Sequence, residues 1–298
     1  FEVYNETKQA SKIAQHLGSH HEQIILDKKN MTECILNINS VFDEPFGDHS
    51  AISTLFLSKV AQKKIKVALS GDGSDEQFYG YRRYIKANKI YNAANFLNNN
   101  LKKKLCLLLK KVSKFNDSYL IKNLERYLKN SNNPQLFYNE ILKMNSENIV
   151  NSNDLDETLQ IDDVDKNTNF NELMMLHDLS YYLTNDILVK TDRSSMNSGL
   201  EVRLPFLDID LVSYNYSFLF KKNYTMKNPK SLFKEILKNY IPRNLINEKK
   251  TGFGAPVDFL IKSDLKSWVI DLLSKEKLSK NQIQNTWDSI ILEDIYLP

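Results

Sequence analysis

Cysteine is scarce in this chain. Only Cys34 and Cys106 occur among 298 residues, both in apolar surroundings. There is no CxxC pair and no metal-ligand spacing. That excludes a disulfide-rich scaffold and a zinc-thiolate centre. It fits a reducing cytoplasm with both thiols buried, while a single disulfide stays open at this level. Long apolar runs are also missing, so no membrane span is expected. Residues 1–10 carry Glu2, Glu6 and Lys8 and no apolar core, so a signal peptide is not expected in them. Neither sign of charge dominates. The net charge of +3 is too small to argue for nucleic acid or a membrane surface. The basic run Lys102, Lys103, Lys104, with Lys110 and Lys111, reads as the solvated face of a helix. No internal repeat is present, and no HxxxH or His–Cys set suggests zinc. The acidic stretch 151–169 lacks the Gly and Glu of a calcium loop and reads as a solvated linker.

What is present is an ordinary globular composition, 42% hydrophobic and 26% charged, long enough for a sizeable core. Residues 5–17 read as an amphipathic helix with Ile13, Ala14 and Leu17 on one face, stopped by Gly18. Residues 23–26 read as a buried strand. Residues 32–41 read as a helix capped by Thr32. Residues 50–63 form a second helix with Ile52, Leu55, Phe56 and Val60 inward, and 66–69 a strand. Helices and strands alternating at this spacing predict a parallel sheet covered by helices. Residues 91–143 are helical and free of Gly, 173–190 return to helix, and 231–240 follow as another.

The most informative stretch runs from Val67 to Glu76. A short apolar strand enters Ser70-Gly71-Asp72-Gly73-Ser74-Asp75-Glu76, and a helix over 77–90 is expected to follow. Gly71 and Gly73 permit tight or left-handed backbone and close approach to a ligand. The helix N-terminus offers unpaired N–H groups and a positive dipole end, which suit a phosphate or ribose oxygen. Asp72, Asp75 and Glu76 put carboxylates at the same place. They would repel a phosphate unless a metal or a lysine intervenes. The loop therefore predicts a magnesium-nucleotide site with cations supplied from elsewhere. Its place at the carboxyl end of a strand is where open α/β sheets bind ligands.

Ser70 to Glu76, followed by Phe78-Tyr79-Gly80-Tyr81, resembles a signature loop of the glutamine-hydrolysing asparagine synthetases. Asp43-Glu44-Pro45-Phe46-Gly47-Asp48 is similar to a second signature. Asp192 to Met196 with Leu200 to Asp208 is similar to a third, and Lys249 to Pro256 to a fourth. The resemblance covers nearly the whole chain and is weakest between Tyr91 and Phe170.

The resemblance implies the family's α/β parallel-sheet adenine-nucleotide (ATP pyrophosphatase) fold. An α/β nucleotide-binding part would span 1–90 and a mostly helical part 91–298. It implies ATP and Mg²⁺, a carboxylate such as aspartate activated as its acyl-adenylate, and glutamine-derived ammonia as nucleophile, with AMP and pyrophosphate as products. Asp72 stands where many relatives carry Glu, thought to act as base toward ammonia. Asp reaches about 1.5 Å less far. Lys230 would approach the pyrophosphate, and Lys250 is a second candidate for that role. Ser70, Gly71, Gly73 and Asp75 would line the nucleotide. Asp75 and Glu76 could instead cap the following helix, and for Glu76 that structural reading is the expectation. Arg193 and Arg203 would either hold the substrate carboxylate, as Arg does well, or join buried ion-pair networks beside Asp192 and Glu201. Pro205-Phe206-Leu207 reads as core, His20-His21 as a solvated turn, and His49 as part of a loop facing the cleft.

The family's Ser-Gly-Gly-x-Asp-Ser pyrophosphatase loop does not occur in this sequence, nor does the N-terminal glutaminase domain with its Cys nucleophile. Because the chain opens on Phe1, a start within a longer protein is the expectation. By itself the polypeptide is expected to hold ATP poorly. Amidation of another acid, such as a sugar uronate in polysaccharide assembly, is the alternative function. A lactam-forming cyclase fits less well because such enzymes tend to lose the acid at Asp72, and a non-catalytic scaffold is the remaining class. A homodimer is left open.

Overall fold

The computed structural model describes residues 7–113, 119–142, 161, 168–219, 230–246 and 254–273. Helix α1 spans Thr7–Leu17 and ends at Gly18, whose φ of +63° is the left-handed stop that the sequence anticipates. Ala14 is buried, but Leu17 is exposed rather than packed. Residues 23–26 do not form the expected strand; they run as irregular chain, with Ile25 exposed. Helix α2 spans Lys28–Asn37 and begins earlier than expected. Its cap is Asp27, whose carboxylate accepts the Asn30 N–H at 2.8 Å, while Thr32 lies inside the helix and bonds back to the Lys28 carbonyl. Helix α3 spans Ser50–Ala61 and buries Ile52 and Leu55 as expected.

Strand β1 (Val67–Leu69) pairs in parallel with β2 (Glu201–Arg203), in the register Val67 to Glu201 and Leu69 to Arg203. Among the described residues these two strands are the whole sheet, so the observed sheet is small within a mostly helical protein. The second strand lies inside a stretch read as a signature rather than as an element. Val67 and Leu69 are exposed, which leaves one sheet face uncovered by the described residues.

After β1 the expected continuous helix is broken in two. Helix α4 is a single turn, Ser74–Gln77, and α5 spans Arg82–Phe96. Between them Tyr79 takes φ +54°. At Gly80 a Cβ would sit 2.7 Å from the Asp75 Cα, so only glycine fits there. Helices α6 (Asn99–Ser113), α7 (Tyr119–Asn130) and α8 (Pro134–Leu142) follow, α6 packing on α7 and α7 on α8. Lys102 is not solvated as expected. It is 6% exposed, and its ammonium donates to Asn95 Oδ1 at 3.0 Å and Asn132 Oδ1 at 2.9 Å.

Helix α9 (Phe170–His177) starts with a capping box between Asn169 and Glu172. It continues as a π-helical stretch, Asp178–Ile187, and then as α10 (Leu188–Met196). Helix α11 covers Ile209–Tyr214, α12 Ser231–Leu237, α13 Arg243–Ile246, α14 Val257–Lys262 and α15 Lys266–Leu272.

Two apolar clusters hold these elements. One joins α2, α3, α14 and α15 through Met31, Ile35, Ile52, Leu55, Leu260 and Val269. The other lies under the loop region and is largely aromatic, with Tyr79, Tyr84, Tyr138, Met174 and Met175. Cys34 is buried and Cys106 is partly exposed, both as free thiols, so the expected burial holds for the first alone. Most of the acidic stretch 151–169 lies outside the described residues.

Candidate active site

The loop begins where the ladder ends. The Ser70 N–H donates to the Arg203 carbonyl at 2.9 Å, one step beyond the last paired residues. The chain then turns through Gly71 and Asp72 to Gly73, which sits at φ +85° ahead of α4. A Cβ on Gly73 would come 2.8 Å from Leu207 Cγ, so glycine is required by conformation and by space. The Gln77 side-chain amide donates to the Phe206 carbonyl, and Asn215 Nδ2 donates to the Gln77 carbonyl at 3.1 Å. In this way the signature around Phe206 is tied to the loop. Pro205 is exposed and Phe206 and Leu207 are half-buried, so the segment is a clasp on the loop rather than the core that was expected.

Asp72 is half-buried. Its Oδ2 accepts from Ser70 Oγ at 3.0 Å and from Thr191 Oγ1 on α10 at 2.9 Å. Lys230 approaches from a distant part of the chain. Its ammonium donates to Ser74 Oγ at 2.9 Å and lies 3.1 Å from Asp75 Oδ1. Phe233 of α12 explains that approach, because its ring packs 4.1 Å from Phe78 and 5.1 Å from Phe206, centroid to centroid. Lys230 itself takes φ +52° at the head of α12, a left-handed conformation uncommon for a residue with a Cβ. Ser70, Gly71, Asp72, Gly73, Asp75 and Lys230 are thus gathered in one place.

Arg193 and Arg203 are not. Arg193 pairs with Asp43 at 2.7 Å and Arg203 with Glu201 at 2.8 Å, and all four side chains are substantially exposed. Neither joins a buried ion-pair network of the kind expected, and each pair is a weak surface bridge. Lys250 lies outside the described residues.

A second polar layer was not read from the sequence. Lys190 on α10 is buried, and its ammonium donates to Asp48 Oδ2 at 2.7 Å and Ser50 Oγ at 2.8 Å. Burial would raise the Asp48 carboxyl, but the hydrogen bonds from Lys190 and Ser50 outweigh it and hold the group below its usual value. Asp186 stands one helical turn before Lys190. Burial, then the charge of Asp48, pushes its carboxyl up to about 6. The acid four residues before a lysine was the available signal for this pair.

Beneath the loop, Glu76 is 2% exposed and accepts the Tyr81 hydroxyl at 2.5 Å. Its carboxyl is raised by burial against the opposing effect of that hydrogen bond. Glu76 is thus a buried acceptor for Tyr81 rather than the helix cap that was expected, since no side chain caps α4. Arg83 lies over the Tyr81 ring, 3.9 Å from the centroid, and pairs with the fully buried Asp178 at 2.6 Å. His177 is buried against Asn139 at 2.8 Å, His20 and His21 are exposed, and His49 is exposed at the head of α3. No three or more metal-ligating side chains cluster among the described residues. No helix among them is long and apolar enough to cross a membrane.

A glycine-turned acidic loop thus stands at the carboxyl end of a parallel strand, the place where open α/β sheets generally bind ligands, with a lysine from a distant part of the chain beside it. The asparagine synthase family model matches residues 1–296, and the chain belongs to that family. It is 26% identical over 314 residues to asparagine synthetase (glutamine-hydrolyzing) 1 of Bacillus subtilis, covering 98% of this chain and 46% of the relative. It is 26% identical over 281 residues to a putative asparagine synthetase (glutamine-hydrolyzing) of Mycobacterium bovis, covering 90% of this chain and 42% of the relative. A putative asparagine synthetase (glutamine-hydrolyzing) 2 of Methanocaldococcus jannaschii shares 32% over 87 residues, 29% of this chain and 17% of that protein. The chain therefore spans less than half the length of these curated relatives.

Proposed function

We propose that this chain is the synthetase part of an ATP-dependent amidotransferase that makes asparagine from aspartate. A carboxylate oxygen of the acceptor attacks the α-phosphorus of ATP, and pyrophosphate leaves. Ammonia then attacks the acyl carbon of the acyl-adenylate, the acyl–oxygen bond to AMP breaks, and a proton passes from nitrogen to Asp72. Mg²⁺ would be carried by the nucleotide phosphates and would neutralise their charge, beside Asp75, which pairs with Lys230, and Asp72, whose Oδ2 accepts two hydroxyls. Ser70, Gly71 and Gly73 supply backbone to the nucleotide. Lys230 neutralises charge building on the leaving pyrophosphate, a contribution made by preorganised charge rather than covalent chemistry. The exposed Arg193 and Arg203, and Lys250, remain as candidates for the acceptor carboxylate and the phosphates.

The observation that carries this reading is the meeting of Lys230 with Ser74 and Asp75 beside Asp72, across a separation of 156 residues in sequence. The test is product analysis with the full-length gene product, ATP, ammonium and a panel of carboxylic acids. AMP and pyrophosphate with aspartate are expected. ADP and phosphate would overturn the adenylation mechanism, and turnover with a uronate alone would transfer the site to a different acceptor.

A further inference from the structure

A threonine inside a helix ordinarily turns its hydroxyl back to the carbonyl four residues earlier. Thr191 does not. Its Oγ1 donates across 119 residues of sequence to Asp72 Oδ2, at 2.9 Å. The residue is 8% exposed, in a helix where a β-branched side chain brings no gain in propensity. A valine would fill the same space without the hydroxyl. Ser70 Oγ donates to the same oxygen at 3.0 Å. Both donors therefore fall on Oδ2, one from the loop and one from α10. Oδ1 of Asp72 accepts none of the hydrogen bonds found among the described residues.

This asymmetry has a chemical meaning. A carboxylate with two acceptor oxygens can rotate about its Cβ–Cγ bond and present either one. Two hydroxyls on one oxygen remove that freedom and leave the other oxygen to face whatever enters the loop. Aspartate is a short side chain, so its orientation cannot be adjusted by extra torsions as glutamate's can. Charge-assisted bonds of this kind are also stronger than neutral ones.

We infer that Thr191 is a positioning residue: with Ser70 it clasps one oxygen of Asp72 and turns the other toward the incoming nitrogen nucleophile. The inference rests on the proposed role of Asp72 and adds to it the residue that orients the base. Thr191 touches no reacting atom. Its effect falls on the ammonia step and not on adenylation, which uses Lys230 at Ser74 and Asp75.

The experiment compares Thr191→Val, Thr191→Ser and Asp72→Asn in the full-length gene product supplied with ammonium chloride. Rapid quench separates acyl-adenylate formation from amide formation. Thr191→Val is expected to slow amide formation about tenfold, the loss of one hydrogen bond to a charged group, with adenylation unchanged. Thr191→Ser is expected to restore amide formation, because it returns the hydroxyl. Thr191→Val with wild-type amide formation overturns the inference. So does an equal loss of both steps in Thr191→Val and Thr191→Ser, since that marks a packing role. Asp72→Asn distinguishes the two levels. If it leaves amide formation intact, the base assignment falls and the positioning role falls with it. If it slows amide formation while Thr191→Val does not, the positioning role alone falls.

Discussion

Replacing Asp178 with Asn should destabilise the protein through a single uncompensated charge. Asp178 is completely buried, and its Oδ2 accepts Arg83 Nη2 at 2.6 Å, Arg83 Nε at 3.2 Å and the Tyr138 hydroxyl at 2.9 Å. Arg83 has little freedom to escape, since its guanidinium carbon lies 3.9 Å from the Tyr81 centroid and 4.4 Å from that of Tyr182. Asn keeps the shape and one acceptor oxygen but leaves the guanidinium without its counter-charge. Breaking a buried pair by removing one partner costs about 3–5 kcal/mol. Arg83 remains 27% exposed, so water takes part of the charge and the lower end, about 3 kcal/mol, applies. At ~2–4 °C per kcal/mol for a chain of this class, the midpoint should fall by about 6–12 °C. Differential scanning calorimetry at neutral pH reads the shift. The double replacement Arg83→Met with Asp178→Leu should recover much of it, because an apolar pair needs no counter-charge.

The pH dependence of the same variant has a definite sign. Burial would raise the Asp178 carboxyl, but the His177 ring 3.9 Å away and the charge and hydrogen bonds of Arg83 outweigh it, leaving the group below its ordinary value. A depressed acid contributes stability that is fully present above its unfolded value, about 3.9, and is lost as pH falls through the folded value. The gap between wild type and Asp178→Asn should stay constant through mild acid and close only below about pH 4. A loss below about 1 kcal/mol at neutral pH, or a double variant no more stable than the single, would refute the uncompensated-charge argument.

Lys230→Ala should slow pyrophosphate release by about 10²-fold or more, as expected when a preorganised charge is removed from a leaving group. Stopped-flow detection of pyrophosphate would contradict the assignment if the burst rate were unchanged. Asp186, pushed up to about 6 by burial and then the charge of Asp48, binds its proton more tightly in the folded state. Wild type should gain stability as pH falls from about 6 toward about 4. Asp186→Asn should be the more stable protein at neutral pH and lose that pH trend, which thermal melts across the range would check. Gly80→Ala places a Cβ 2.7 Å from the Asp75 Cα and should cost at least about 1–3 kcal/mol as overpacking. Urea unfolding equal to wild type would show that the turn relaxes freely.

The loop and its neighbours were legible because their chemistry is local. Glycines spaced two apart, carboxylates beside them and a preceding apolar run are enough to mark Val67 to Glu76 as strand, turn and candidate site. Helix periods were equally readable at α3, where Ile52 and Leu55 face inward. Local signals failed where packing overrode them. Residues 23–26 carry strand propensity but find no partner among the described residues. The helix expected to run unbroken from residue 77 is split, because Gly80 lies against Asp75 and the chain must turn at Tyr79. Lys102 looks like a surface lysine in a basic run, yet two asparagines from other parts of the chain satisfy its ammonium.

The amino-acid sequence by itself determined the family, the acidic loop and the identity of Asp72 and Lys230 as candidates. Those features depend on residue type and short spacing, which tertiary packing cannot alter. Only the tertiary structure decided which side chains meet. It paired β1 with β2 and carried Thr191 to Asp72. It brought Lys190 to Asp48 across 142 residues and set Arg83 on Asp178. It also left Arg193 and Arg203 on the surface. Hydrogen bonds and ion pairs act over about 3 Å, so a contact between residues far apart in sequence has no local signature until the fold brings them together.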